Sequence, residues 1–300
     1  LLNRITKGSF HSDYIRHYDE KSNNLFFTAH GVNNQIDPYY EHTYKVSLNG
    51  GVPKLLNKGN FNTMTYPSDN HRYFVNNFSR VNTTPESHLI NSDGIVIMKL
   101  EKADLSALFE SGYQFPETFK AKADDGITDL YGVIYKPFDF DENKKYPLLE
   151  YVYPGPQTES VNKSFSVRMD RLDRMAQLGF IVITLGNRGG HPDRSKWYHN
   201  YGYGNLRDYG LADKKYVAQQ LANRHDFIDI NRVGIYGHSG GGFMSTAAIL
   251  VYPDFFKVAY SQAGNHDNSM YNSWWSETHH GIMEETDDDG NIKYKYDIDK

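Results

Sequence analysis

The sequence predicts an all-β region followed by an α/β domain built on a largely parallel sheet. Two observations carry this expectation: a strand-and-turn unit that recurs in the first part of the chain, and strands that alternate with helix-period segments in the rest. The pattern changes near residue 110.

Before that point, "LFFTAH", "TYKVSLNGG", "PKLLN", "RYFVNNFS" and "ESHLINSDG" are short strand-like runs bounded by Asn, Gly and Asp turns. No helical stretch interrupts them until "KADLSALFE". The unit "YKVSLNGG" from Tyr44 returns in outline as "HLINSDG" from His88, a spacing of 44 residues. One blade of a β-propeller takes ~40–50 residues. Two blades cannot close a ring that needs at least ~4. Either the architecture differs, or most of the ring lies upstream of Leu1.

From about Phe115 strands and helices alternate. "TDLYGVIYKP" alternates apolar and polar residues, "YPLLEYVYPGPQ" is an apolar run halted by Pro154 and Pro156, and "FIVITLG" is a continuous buried-strand run. "FSVRMDRLDRMAQLG" and "LRDYGLADKKYVAQQLANR" carry helical spacing, with Leu206, Tyr209, Val217 and Leu221 able to share one broad face. A βαβαβ order implies a mostly parallel sheet with helices on both sides, and sites at the carboxyl ends of its strands. The tail "MEETDDDGNIKYKYDIDK" reads as a hairpin turning at Asp289-Gly290.

Composition removes several function classes. The net charge of −5, with no Lys/Arg cluster, argues against a nucleic-acid surface. With no cysteine, neither a disulfide framework nor a thiolate metal site can form, and the redox compartment stays open. No apolar run approaches the ~18–20 residues of a membrane span, and the first residues lack the apolar core of a signal peptide. A calcium loop starting at Glu285 would place Tyr296 where a bidentate Glu is required. No metal and no cofactor are expected.

The chemistry is expected in "VGIYGHSGGGFMS", residues 233–245. Gly237-His238-Ser239-Gly240-Gly241 fits G-x-S-x-G between a strand run and a helix, the setting of a nucleophile elbow. The turn strains the serine backbone and leaves no room for side chains at the flanking glycines. Ser239 is the expected nucleophile, and the backbone N–H of Gly240 is an expected oxyanion donor. The bland alternative is a serine that merely caps the helix. His238 is adjacent but points elsewhere on such a turn, so the base must come from another part of the chain.

These residues, with "DGITDLYGVIYKP", "YPLLEYVYPGPQ", "TLGNRGG" and "YNSWWSETHHG" in this order, resemble the dipeptidyl peptidase IV-like branch of the prolyl oligopeptidase serine peptidases. The resemblance covers most of the chain. It implies the C-terminal part of a β-propeller over residues 1–110 and the N-terminal part of an α/β-hydrolase catalytic domain over 111–300. It makes Tyr153, in "VYPGP", the second oxyanion donor, and Tyr271 and Trp275 walls of the pocket for the residue before the cleaved bond. For Trp274 core packing is expected.

Two departures from the family pattern, Gly240 where many relatives have Tyr and Asn268 where Trp is common, remove pocket wall. Strict proline specificity is therefore not implied. The glutamates that anchor a substrate's free amine in this branch belong to an earlier propeller segment.

A serine nucleophile also needs an acid and then a histidine after it in the chain. The histidines after Ser239 are His266, His279 and His280, and no strand ending in Asp precedes a loop His there. The acid and the base are therefore expected beyond Lys300, and this fragment is expected to be inactive alone. The leading reading is a serine exopeptidase releasing N-terminal dipeptides or short peptides, after Pro or Ala. The alternatives are an esterase or acyl hydrolase on the same fold and a non-catalytic binding homologue. The resemblance further implies a peptide as partner, homodimerisation of the full-length protein, and a periplasmic or secreted location.

Overall fold

The computed structural model describes residues 4–155, 157–166, 171–268 and 270–296. The chain divides into two compact units, residues 1–117 with 162–168 and 193–195, and residues 118–161, 169–192 and 196–300.

The first unit holds two four-stranded antiparallel sheets, each in sequential order. One is β1 (His11–Asp19), β2 (Asn24–His30), β3 (His42–Ser47) and β4 (Lys54–Leu55). The other is β5 (Asn62–Pro67), β6 (Tyr73–Ser79), β7 (Glu86–Asn91) and β8 (Val96–Lys102), followed by the short α1 (Ser106–Glu110). Each sheet has the form of one propeller blade. The repeat seen in the sequence falls on the third strand of each sheet, Tyr44 in β3 and His88 in β7.

Phe27, Ala29, Tyr44 and Val46 form an apolar cluster on the first sheet. Phe26, Leu56, Phe74 and Ile90 join the two sheets, with the Phe26 and Phe74 rings 5.5 Å apart. A polar knot lies beside them. The buried Asn57 donates to the hydroxyls of Thr63 and Thr65 (2.8 and 3.1 Å) and to Asn76 Oδ1 (3.1 Å), and accepts from the Thr43 N–H (2.9 Å).

The second unit is built on a six-stranded sheet ordered β14-β13-β11-β12-β10-β9. Its strands are β9 (Glu117–Lys122), β10 (Asp129–Tyr135), β11 (Tyr146–Tyr151), β12 (Ile181–Leu185), β13 (Ile228–His238) and β14 (Phe256–Gln262). β11 pairs parallel with β12 and β13, and β13 with β14, while β10 runs antiparallel to β12. Every residue of β12 is buried, which explains its unbroken apolar run. The helices are α2 (Arg171–Ala176), α3 (Lys196–His199), α4 (Leu211–Arg224), α5 (Gly240–Val251) and α6 (Ser273–His279). Val217, Ala218 and Leu221 of α4 and Met244, Ala247 and Ala248 of α5 pack with Leu148, Ile183 and Ile235 in the main core. This is the mixed sheet of an α/β-hydrolase preceded by propeller blades.

The expected terminal hairpin is β15 (Ile282–Thr286) against β16 (Ile292–Tyr296), closed by the Gly290 N–H on Asp287 O at 2.9 Å. Among the described residues no helix is long and apolar enough to cross a membrane.

Candidate active site

β13 delivers the chain to Ser239, and α5 leaves from Gly240. Ser239 sits at φ 56°, ψ −120°, a conformation that L-residues avoid, and its side chain makes no cap to α5. The helix-capping alternative therefore has no geometric basis. The strain is held in place by the Ser239 N–H donating to Gln262 O of β14 (2.8 Å) and by the Phe243 N–H donating to Ser239 O (3.0 Å).

The flanking glycines are dictated by a close backbone approach. A Cβ on Gly237 would lie 2.2 Å from Val152 O, one on Gly241 2.0 Å from the same oxygen, and one on Gly240 2.7 Å from Pro154 O. The segment that leaves β11, Val152-Tyr153-Pro154, is thus pressed against the elbow. The same hypothetical Cβ on Gly241 would lie 3.4 Å from Tyr153 Cα. The backbone at Tyr153 thus lies against the N-terminus of α5, where backbone donors and the helix dipole favour negative charge.

Beside Gly240 lies a small cavity of about 30 Å³, bounded by Pro154, Phe243, Asn265, Asn268 and Trp275 among others. Trp275 reaches it. Tyr271 does not line it, but packs edge-on against Trp275 at 5.5 Å and is 44% exposed. Trp274 departs from expectation: it is 70% exposed, because α6 turns its buried side, carrying Ser276, away from it. A much larger cavity, about 840 Å³, runs along β11, β13 and β14 between Leu148, Met175, Phe180 and Val258. It contains neither Ser239 nor Tyr153 and is almost wholly apolar, so volume does not mark the chemical site here.

His266 Nε2 is 3.3 Å from Ser261 Oγ, and His279 and His280 pack on Trp275 at 4.7 and 5.4 Å. Ser239 Oγ has no hydrogen bond to a histidine among the described residues.

Sequence reasoning missed a buried polar frame beneath the site. Glu150, next to last in β11, is fully buried 3.8 Å from the Lys214 ammonium, which donates to Leu185 O. Burial pushes Glu150 up to about 7 despite the lysine's charge, and burial pulls Lys214 down. Asp213, next on α4, accepts from the Arg188 backbone N–H (2.9 Å) and from its guanidinium at 2.6 and 3.1 Å. Glu159 is buried against Gly186 and Gly190, where a Cβ would come within 2.4 and 2.1 Å of its carboxylate, and accepts from the Tyr198 hydroxyl. These contacts fix the 186–190 loop after β12. The available signal was an acid inside an apolar strand, "LLEYV", and the glycines of "GNRGG".

Comparison with known proteins bears on the family and the fold. Residues 165–299 match the prolyl oligopeptidase family, and residues 2–85 match the dipeptidyl peptidase IV N-terminal region. Human dipeptidyl peptidase 8 is 40% identical over 152 residues, half of this chain and 17% of the human protein. A crystal structure from Bacteroides ovatus, assigned as a dipeptidyl aminopeptidase IV, superposes with a TM-score of 0.72 at 27% identity, covering 85% of this chain and 35% of that one. The chain thus spans a minor part of the relatives it matches. On its two family matches, its fold and its elbow, it belongs to the dipeptidyl peptidase IV-like prolyl oligopeptidase family.

Proposed function

We propose that the full-length protein is a serine peptidase that releases N-terminal dipeptides through an acyl-enzyme. The observation that carries the reading is the strained, uncapped Ser239, flanked by glycines pressed against the Val152–Pro154 backbone. In the first half-reaction Ser239 Oγ bonds to the scissile carbonyl carbon as its proton passes to a histidine base. The carbonyl oxygen becomes an oxyanion held by the Gly240 N–H and the Tyr153 hydroxyl. The C–N bond then breaks, the base returns the proton to the leaving amine, and water releases the acyl group by the reverse sequence.

In this reading residues 1–110 belong to a propeller and 111–300 to the catalytic domain. The base and its orienting acid come from outside the described residues. Trp275 and the small cavity beside Gly240 receive the residue before the cleaved bond, with Tyr271 buttressing Trp275 from behind. A small, aromatic-walled slot suits Pro or Ala.

The test compares aminoacyl-prolyl and aminoacyl-alanyl anilides with aryl esters on the full-length protein and on Ser239→Ala. Anilide hydrolysis that falls at least ~10⁴-fold in Ser239→Ala supports the peptidase. Hydrolysis confined to esters assigns an acyl hydrolase instead, and turnover that survives Ser239→Ala removes Ser239 from the chemistry.

A further inference from the structure

A second cluster of ionisable side chains lies in the first unit, around His30 at the end of β2. His30 is 5% exposed. Its Nδ1 is 3.1 Å from the Tyr39 carbonyl oxygen. A carbonyl can only accept, so the ring proton sits on Nδ1, and Nε2 is the atom left to face the cluster.

Around Nε2 stand carboxylates that do not hydrogen-bond it. Asp193 Oδ2 is 3.6 Å away and Asp13 Oδ2 3.8 Å. Glu41 joins them: one ligand atom from each of Asp13, His30 and Glu41 lies within 4.8 Å of the others. At the rim, His11 Nε2 is 3.9 Å from the other oxygen of Asp193.

The sheet builds this convergence. His11 pairs with His30 across β1 and β2, and Asp13, two residues on, falls where the register of β1 shifts between Ser12 and Ile15. Such irregularities re-aim a side chain. Glu41 directly precedes β3, whose His42 pairs with Ala29.

Two oxygens from different segments stand off the same nitrogen at nearly equal distances. Ligands on bonds of about 2.0–2.2 Å lie roughly 3.0–3.5 Å from one another, somewhat closer than the 3.6 and 3.8 Å of Asp193 and Asp13, so a modest inward movement would seat an ion. Arg16 meets Glu41 Oε1 at 3.3 Å and also lies over the Tyr14 ring.

We infer that His30, Asp13, Glu41 and Asp193, with His11 at the rim, form a binding site for a divalent transition-metal ion. Mixed imidazole and carboxylate donors favour Zn²⁺ or Mn²⁺ over Mg²⁺ and Ca²⁺. The ion would tie β1, β2, the start of β3 and the 193–195 segment together. The sequence raised no expectation of it, because its ligands are scattered from residue 11 to residue 193 and follow no compact spacing.

The test is calorimetric titration of the EDTA-treated full chain with ZnCl₂, repeated with Co²⁺ to read its visible absorption. The expected result is one ion per chain, with binding weakened about tenfold or more in Asp13→Asn and in Glu41→Gln. Both substitutions keep side-chain size at positions that are not fully buried, so they avoid the folding risk of changing His30. A thermal midpoint raised by Zn²⁺ in the parent chain and unmoved in Asp13→Asn is the matching readout. No uptake overturns the inference, and so does uptake of equal affinity in both variants, which would place the ion on other histidines.

Discussion

Replacing Ser239 by glycine is expected to stabilise the second unit relative to replacing it by alanine. Ser239 occupies φ 56°, ψ −120° and gives α5 no side-chain cap, so deleting its hydroxyl forfeits no folded-state hydrogen bond. Alanine keeps the strain, whereas glycine adopts this conformation freely. A side chain held in such a region costs about 1–3 kcal/mol. Glycine gives back roughly 0.4–1 kcal/mol through the freedom it adds to the unfolded chain. The net expectation is that Ser239→Gly is more stable than Ser239→Ala by about 0.5–2 kcal/mol. The protein supplies its own probe, because Trp197, Trp274 and Trp275 all lie in the second unit. Urea unfolding followed by tryptophan fluorescence therefore reads that unit. If Ser239→Gly unfolds at the same or a lower urea concentration than Ser239→Ala, the elbow stores no strain and the reasoning fails.

Gly241→Ala should cost more than about 3 kcal/mol in the same assay, since its Cβ would lie 2.0 Å from the Val152 carbonyl oxygen and backbone must move. In the full-length protein, Tyr153→Phe should lower kcat for anilides about 10²-fold or more with KM little changed, and a raised KM at constant kcat would remove the oxyanion role. Lys214→Met, which strands Glu150 without its cation, should destabilise by about 3–5 kcal/mol, while the double change of Lys214→Met with Glu150→Leu should recover much of that. The pH dependence has a defined sign. With Glu150 raised to about 7 in the fold, the folded chain holds a proton that the unfolded chain releases near 4.5. The resulting stability is full below pH 4.5 and lost by the time pH has risen through 7. The difference in stability between the parent and Glu150→Gln should shift in that direction between pH 5 and 7.5, and urea midpoints in parallel across that window check it.

The sequence made legible what rests on local pattern. The fully internal β12 shows as an unbroken apolar run, and the elbow shows because two physical demands, strain at Ser239 and a close approach by Val152, both fall on neighbouring glycines. The first strands of the two sheets did not show. β1, "HSDYIRHYD", and β5, "NTMTYP", are largely polar, and β8 is exposed along its whole length, so no alternation marks them. The pocket was legible in part. Trp275 and Trp274 are neighbours of the same type, and only the direction of α6 decides that one meets the cavity and the other meets solvent. The Glu150–Lys214 and Arg188–Asp213 pairs were invisible for a simpler reason: each joins residues far apart in the chain, and spacing carries no information about such contacts.

The Asn57 knot bears on how the first unit opens. One side chain binds β3 through Thr43, β5 through Thr63 and Thr65, and β6 through Asn76, and so spans both sheets. Unzipping either sheet exposes polar groups that the other sheet was satisfying, at a cost that a lone blade would not meet. The amides of β3 and β6 are therefore expected to exchange with solvent at a common rate, as a single foldon, while the exposed β8 exchanges early. In Asn57→Leu that shared rate should split in two, leaving each sheet to open on its own.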